Sequence, residues 1–224
     1  MGEIIHGDYN RWANPEMLDS VTNYECYKGI YSSHNDKNYF EIAYSLNRQF
    51  GDGGIYKNIY TYNFVDNHDV VRIASNLTNE KHLPLIYALL FGMPGIPCIY
   101  YGSEWGAEGK KEHGSDDSLR PCFEAPQCNA LTEWIATCAK AHKESKALCY
   151  GDFKSLMLTN KQFIFERSFE GQRVLVAVNA DGEAYDAHFN ANAGRARDLL
   201  TGQTHDFGGG SKLPPYSAAY WEIY

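Results

Sequence analysis

Between residues 18 and 148 short β-rich runs alternate with helix-spaced runs, and beyond Tyr150 and Gly151 the runs are all short and β-rich. No other feature narrows the fold as far. Residues 18–24 (LDSVTNY), 59–65 (IYTYNFV) and 96–101 (IPCIYY) read as strands from their branched and aromatic content. The last is a continuous apolar run, which suits a strand buried on both faces. Residues 39–50 (YFEIAYSLNRQF) carry apolar side chains at helical spacing and stop at Gly51, Asp52, Gly53 and Gly54. A second helix is predicted over 82–91, ended by Gly92, Met93, Pro94 and Gly95. A third covers 131–148, with Leu131, Trp134, Ile135, Cys138, Ala141 and His142 on one side. Alternation at this spacing implies βαβ units and a parallel sheet. Residues 102–127 form a long polar, Gly-rich loop after a strand, a place where function gathers. Six β-like runs after residue 151, joined by turns such as Asn179 to Gly182, predict an antiparallel sandwich or barrel. The expected division is 1–150 and 151–224.

Composition removes several classes of function. The net charge of −8 gives no electrostatic reason to expect a nucleic-acid backbone as partner. No run approaches the roughly 18 apolar residues of a membrane span, because Pro84, Pro94 and Pro97 break the longest one. The first residues lack the basic and apolar regions of a signal peptide, and they read as a start inside a strand. Cytoplasmic and secreted locations therefore both remain open. The 17 tyrosines suit either sugar binding, a ring face covering a pyranose, or strands and cores. No CxxC pair supports a zinc ribbon. Cys98, Cys138 and Cys149 read as buried free thiols, while for Cys122 and Cys128 a small loop disulfide is the less favoured of two readings.

The chemistry concentrates in residues 63–69 (NFVDNHD), at the C-terminal end of a predicted parallel strand. Asn67, His68 and Asp69 leave the strand together and can face a ligand. The alternatives are a turn with Asp69 capping a following helix, or a metal site of His68 and Asp69 with His6 or Asp8. Glu3, in GEIIH, lies 66 residues before Asp69. At about 30 residues per βα unit, Glu3 and Asp69 fall on alternate strands, so two carboxyls can face one cavity. Such a pair suits acid/base work.

FVDNHD followed by MPGIPCIYYGSEWG resembles the α-amylase family of glycoside hydrolases, and GEIIH is similar to the family's segment around its general acid. The resemblance covers nearly the whole chain. It implies the C-terminal half of a (β/α)8 TIM barrel followed by a Greek-key β-sandwich. It implies retaining chemistry on α-glucosidic bonds of starch-like saccharides, with an α-glucan or maltooligosaccharide as partner. Glu3 matches the general acid/base and Asp69 the carboxylate that stabilises the transition state. His68 and Asn67 match sugar-binding positions, and Arg120 resembles an arginine further along the glycone side, with either Asp116 or Asp117 as its companion. The family's nucleophile, an Asp in a GxRxD segment, has no counterpart before Glu3. A complete barrel takes about 250 residues, so the resemblance implies about half of one, with any calcium in the other half. Such a half is expected to be inactive alone and to self-associate through open sheet edges as a homodimer. A non-catalytic glucan-binding or scaffold protein, and a transglycosylase or isomerase of the same family, remain as alternatives.

Overall fold

The computed structural model describes residues 1–112 and 114–224. Four short extended segments lie side by side in chain order, all parallel. Gly2 bridges Val21, Thr22 bridges Tyr62, and β1 (Tyr62–Asn63) pairs with β2 (Ile96–Pro97) in the register Tyr62 to Ile96 and Asn63 to Pro97. Single backbone hydrogen bonds stitch them together, such as Thr22 N–H to the Gly2 carbonyl (3.0 Å) and Cys98 N–H to that of Asn63 (2.8 Å). This is a partial barrel sheet, and its C-terminal rim carries Glu3, Asn23 and the 66–69 turn. Ile96 is 44% exposed, which corrects the reading of residues 96–101 as doubly buried. The cause is that β2 pairs on one side, with β1.

Helices cover one side of this sheet. α1 (Tyr24–Asn35) and α2 (Phe40–Phe50) separate the second and third segments. α3 (Ile73–Asn76) and α4 (Leu83–Gly92) separate β1 from β2, and α5 (Ala130–Glu144) and α6 (Lys146–Tyr150) follow. The expected strand over 18–24 ends early, because Asn23 turns out of it and caps α1 by accepting from Cys26 N–H. α1 was not foreseen: its Gly, Ser, Tyr and His are weak helix formers. Tertiary packing supplies what propensity does not, since Gly29 lets α2 approach so closely that a Cβ there would meet Ile42 at 3.2 Å. The predicted helix over 131–148 is broken at Ser145, whose extended backbone ends α5 while its Oγ caps α6 through Leu148 N–H.

Beyond α6 lie eight strands: β3 (Asp152–Leu158), β4 (Gln162–Phe169), β5 (Gln172–Asn179), β6 (Tyr185–Ala187), β7 (Arg195–Asp198), β8 (Thr204–Asp206), β9 (Ser211–Leu213) and β10 (Ser217–Ile223). Six form one antiparallel sheet in the order β3-β4-β5-β10-β7-β8, and β6 pairs with β9. β10 returns to lie between β5 and β7, a crossover of Greek-key type. Period-two alternation gives the large sheet two apolar faces. Phe163, Phe165, Val174, Val176, Val178 and Tyr220 join the core of α4 and the helical layer. Ile164, Leu175, Ala177 and Trp221 form a second core with Ala187 and Leu213 of the small pair.

The two layers are also tied by polar contacts. Arg167, fully buried, donates to the carbonyls of Gly92 (3.0 Å) and Gly151 (2.9 Å), and Tyr220 O–H donates to the Ala88 carbonyl. Among the described residues no helix is long and apolar enough to cross a membrane. Cys122 and Cys128 are exposed free thiols, so the loop disulfide does not form. Cys138 is buried as expected, whereas Cys98 and Cys149 are half-buried.

Candidate active site

The rim of the parallel sheet brings Glu3, His68 and Asp69 together, with one ligating atom from each lying within 4.8 Å of the others. Glu3 sits there because Gly2 is held in the ladder immediately before it. His68 and Asp69 sit there because Asn67 closes a turn after β1. Its Oδ1 accepts from Asp69 N–H (2.8 Å) and Val70 N–H (3.1 Å), an Asx-type turn. Asp69 therefore caps no helix. Its carboxylate faces His68 Nε2 (3.3 Å) on one oxygen and Arg120 Nη2 (2.7 Å) on the other.

Arg120 is held as firmly as it holds. Its Nε–H donates to the His68 carbonyl (3.0 Å), and Nη2 also reaches Asp116 (3.3 Å), which in turn meets Lys111 (3.0 Å). The structure thus brings Asp116 to Arg120, while Asp117 is an exposed residue opening a 3-10 turn, its N–H bonded to Ser115 Oγ. His6 and Asp8 stand outside the cluster, so the metal grouping weighed from sequence is not the one formed. Glu3, His68 and Asp69 do have the spacing of a ligand set, but a cation there would compete with Arg120 for Asp69.

Tyr24 was not read from the sequence as part of the site. Its hydroxyl donates to Glu3 Oε1 (2.7 Å) and accepts from Asn67 Nδ2 (3.0 Å), linking both halves of the cluster. Partial burial first, and the bond to Glu3 second, push its phenol up to about 12. Asn67 is thereby engaged with protein at both ends of its amide. Asp66, directly beneath, is buried, and burial pushes its carboxyl up. It accepts from Ile73 N–H (2.8 Å) and from Ser103 O–H. Asp66 lies inside the recognised motif, but nothing in its spacing separates a buried anchor from an exposed acid.

Residues 1–151 match the model of the alpha amylase catalytic domain, and residues 158–222 that of the alpha amylase C-terminal all-beta domain. A cyclomaltodextrinase of a Bacillus species is 25% identical over 81% of this chain and 33% of its own length. A cyclomaltodextrin glucanotransferase of Bacillus licheniformis is 28% identical over 62% of this chain and 20% of its own. The solved structure of an Anoxybacillus alpha-amylase superposes with a TM-score of 0.81 at 21% identity, covering 99% of this chain and 51% of that one. The chain spans about a third or less of the length of these curated relatives.

Proposed function

The chain belongs to the α-amylase family, and on that premise we propose that its sheet rim is the acid/base and charge-stabilising part of a retaining site for α-glucosidic bonds. The observation that carries this is the convergence of Glu3, His68 and Asp69 at the ends of parallel strands, framed by Tyr24 and Arg120. In such a site Glu3 protonates the glycosidic oxygen as the bond breaks and later takes a proton from the attacking hydroxyl. Tyr24 O–H, bonded to Glu3, fixes which carboxyl oxygen faces the leaving group. Asp69 accepts hydrogen bonds from sugar hydroxyls, and these bonds shorten as the ring flattens toward an oxocarbenium ion. His68 donates to the same sugar. Arg120 holds Asp69 in place, and Asp116 in turn holds Arg120. Asn67 shapes the turn.

Hydrolysis and transglycosylation share this acid/base step, so the same residues serve either outcome. The substrate class is an α-glucan or maltooligosaccharide. The chain itself associates with a second copy through β2, which among the described residues pairs on one side alone, with β1, and carries the exposed Ile96.

Calorimetric titration with maltohexaose tests the reading, with Asp69→Asn as the control. Heat of binding is expected from the wild-type chain, weakened about tenfold in the variant, as for loss of a charged hydrogen bond. Absence of binding up to millimolar sugar, or an unchanged affinity in Asp69→Asn, overturns it.

A further inference from the structure

Three residues after Asp69 stands an arginine that the site chemistry leaves unused. Arg72 is fully buried, yet among the described residues no carboxylate lies within ion-pair distance of it. Its Nε and Nη1 donors instead reach oxygens on residues 101–119, the stretch that leads to Arg120, while Nη2 has no partner among the described residues. Nε–H donates to the Leu119 carbonyl (3.1 Å), the residue immediately before Arg120. Nη1 donates to the Tyr101 carbonyl (2.5 Å) and to Ser103 Oγ (3.2 Å), and the Ser103 O–H in turn donates to Asp66. The backbone N–H of Arg72 donates to the Gly109 carbonyl (3.0 Å). The guanidinium also lies over the Tyr100 ring, 4.2 Å from its centroid.

We infer that Arg72 is a positioning residue that locks the loop bearing Arg120 against the turn bearing Asp69, and so sets the distance between those two groups. A planar, always-charged guanidinium can hold oxygens from three points of a loop at once, whereas a lysine ammonium offers a compact point charge. Asp69 and Arg72 share one short stretch of backbone, so the carboxylate and the clamp on its partner move as a unit. Gly109 completes the clamp: a Cβ there would sit 2.3 Å from the Ser118 carbonyl oxygen and 3.0 Å from Arg72 Cγ. The importance of this for sugar binding rests on the role proposed for Asp69 and Arg120; the clamp itself does not.

The test is hydrogen exchange at the Arg120 Nε–H, followed by NMR in the whole chain, in Arg72→Lys and in Gly109→Ala. Arg72→Lys keeps the buried charge. Gly109→Ala pushes the loop off the clamp without altering any charge, and decides the matter if the lysine variant does not fold. Arg195, whose Nε donates to Asp206 (3.2 Å) in the β-rich layer, is the internal control. Exchange at Arg120 is expected to quicken by up to about tenfold, as for loosening one net hydrogen bond, with Arg195 unchanged. An unchanged Arg120, or equal acceleration at both arginines, overturns the inference, the latter showing general loosening. Maltohexaose affinity measured on the same variants should fall in parallel. If the wild-type chain binds no maltohexaose while Arg120 still responds, the glucan reading fails and the clamp stands.

Discussion

Tyr24 and His34 show how single residues set local protonation. The Tyr24 phenol, held near 12, has Glu3 as both hydrogen-bond acceptor and negative neighbour. Glu3→Gln removes the charge that opposes phenolate formation, so the Tyr24 midpoint is expected to drop, read from its ¹³Cζ resonance. An unmoved midpoint would mean that the carboxylate does not face the ring in solution. His34 is fully buried; its Nδ1 contacts the Ile30 carbonyl (2.8 Å), which can only accept, so Nε2 accepts from Tyr39 O–H (2.9 Å). Burial pushes its imidazole down to about 3, and that of His82, with ring centroid 5.4 Å away, in the same direction. A depressed histidine leaves the unfolded chain binding more protons below its ordinary value near 6.5. Stability is therefore unaffected by it above about pH 7 and falls by about 1.4 kcal/mol per pH unit as the medium is acidified through the window between 6.5 and 3. Urea midpoints at pH 7 and pH 5 should differ more for the wild type than for His34→Gln, whatever the variant costs at pH 7. At this scale the sequence was most readable where polar groups end a strand: Glu3, His68 and Asp69 meet, and Arg120 of the long loop joins them at Asp69. Tyr24 and Arg72 were not visible, because one lies on a helix that propensity hides and the other acts through backbone carbonyls that no spacing encodes.

At the scale of elements, α4 carries the argument. Its residues from Leu85 to Gly92 are all buried, so it is a core helix with no polar face, and a continuous apolar run announced it within a residue at each end. Gly92 closes it against the sheet: a Cβ there would lie 2.8 and 3.0 Å from the two Val176 methyls. Helix propensity alone makes Gly→Ala favourable by up to about 1 kcal/mol. Overpacking against a fixed strand costs about 1–3 kcal/mol and should win. Gly92→Ala is expected to lower the denaturant midpoint, and Val176→Ala in the same chain to recover part of the loss, a non-additivity that a double-mutant cycle measures. Strictly additive effects would place the two residues apart. The strands of the parallel sheet were legible as runs but not in length. Their ladders are only one or two residues long, because flanking groups turn away to build the rim, as Asn23 does in capping α1. β8 (Thr-His-Asp) and β9 (Ser-Lys-Leu) were missed altogether, each being three residues, too short to show an apolar alternation.

For the whole molecule, the open sheet edge and the seam between the layers make separate predictions. The edge at β2 predicts concentration-dependent mass: sedimentation at micromolar concentration should give a dimer, and a stable monomer would remove the association proposed through β2. The seam predicts cooperativity. α4 is covered by Val174, Val176 and Tyr220 of the sheet on one side and by the helical layer on the other, in one continuous core. Arg167 and Tyr220 reach across to carbonyls at Gly92 and Ala88. Neither layer can open without exposing that helix, so the two layers are expected to unfold together across the change of architecture near residue 150. Calorimetry is expected to show one transition, with amides of α4 and β5 exchanging at the same free energy. Tyr220→Phe leaves the buried Ala88 carbonyl without its hydroxyl partner and should cost about 1–3 kcal/mol. That loss should shift the single transition as a whole. Two transitions, with Tyr220→Phe moving the sheet's and leaving the helices' in place, would show that the seam binds the layers without coupling them.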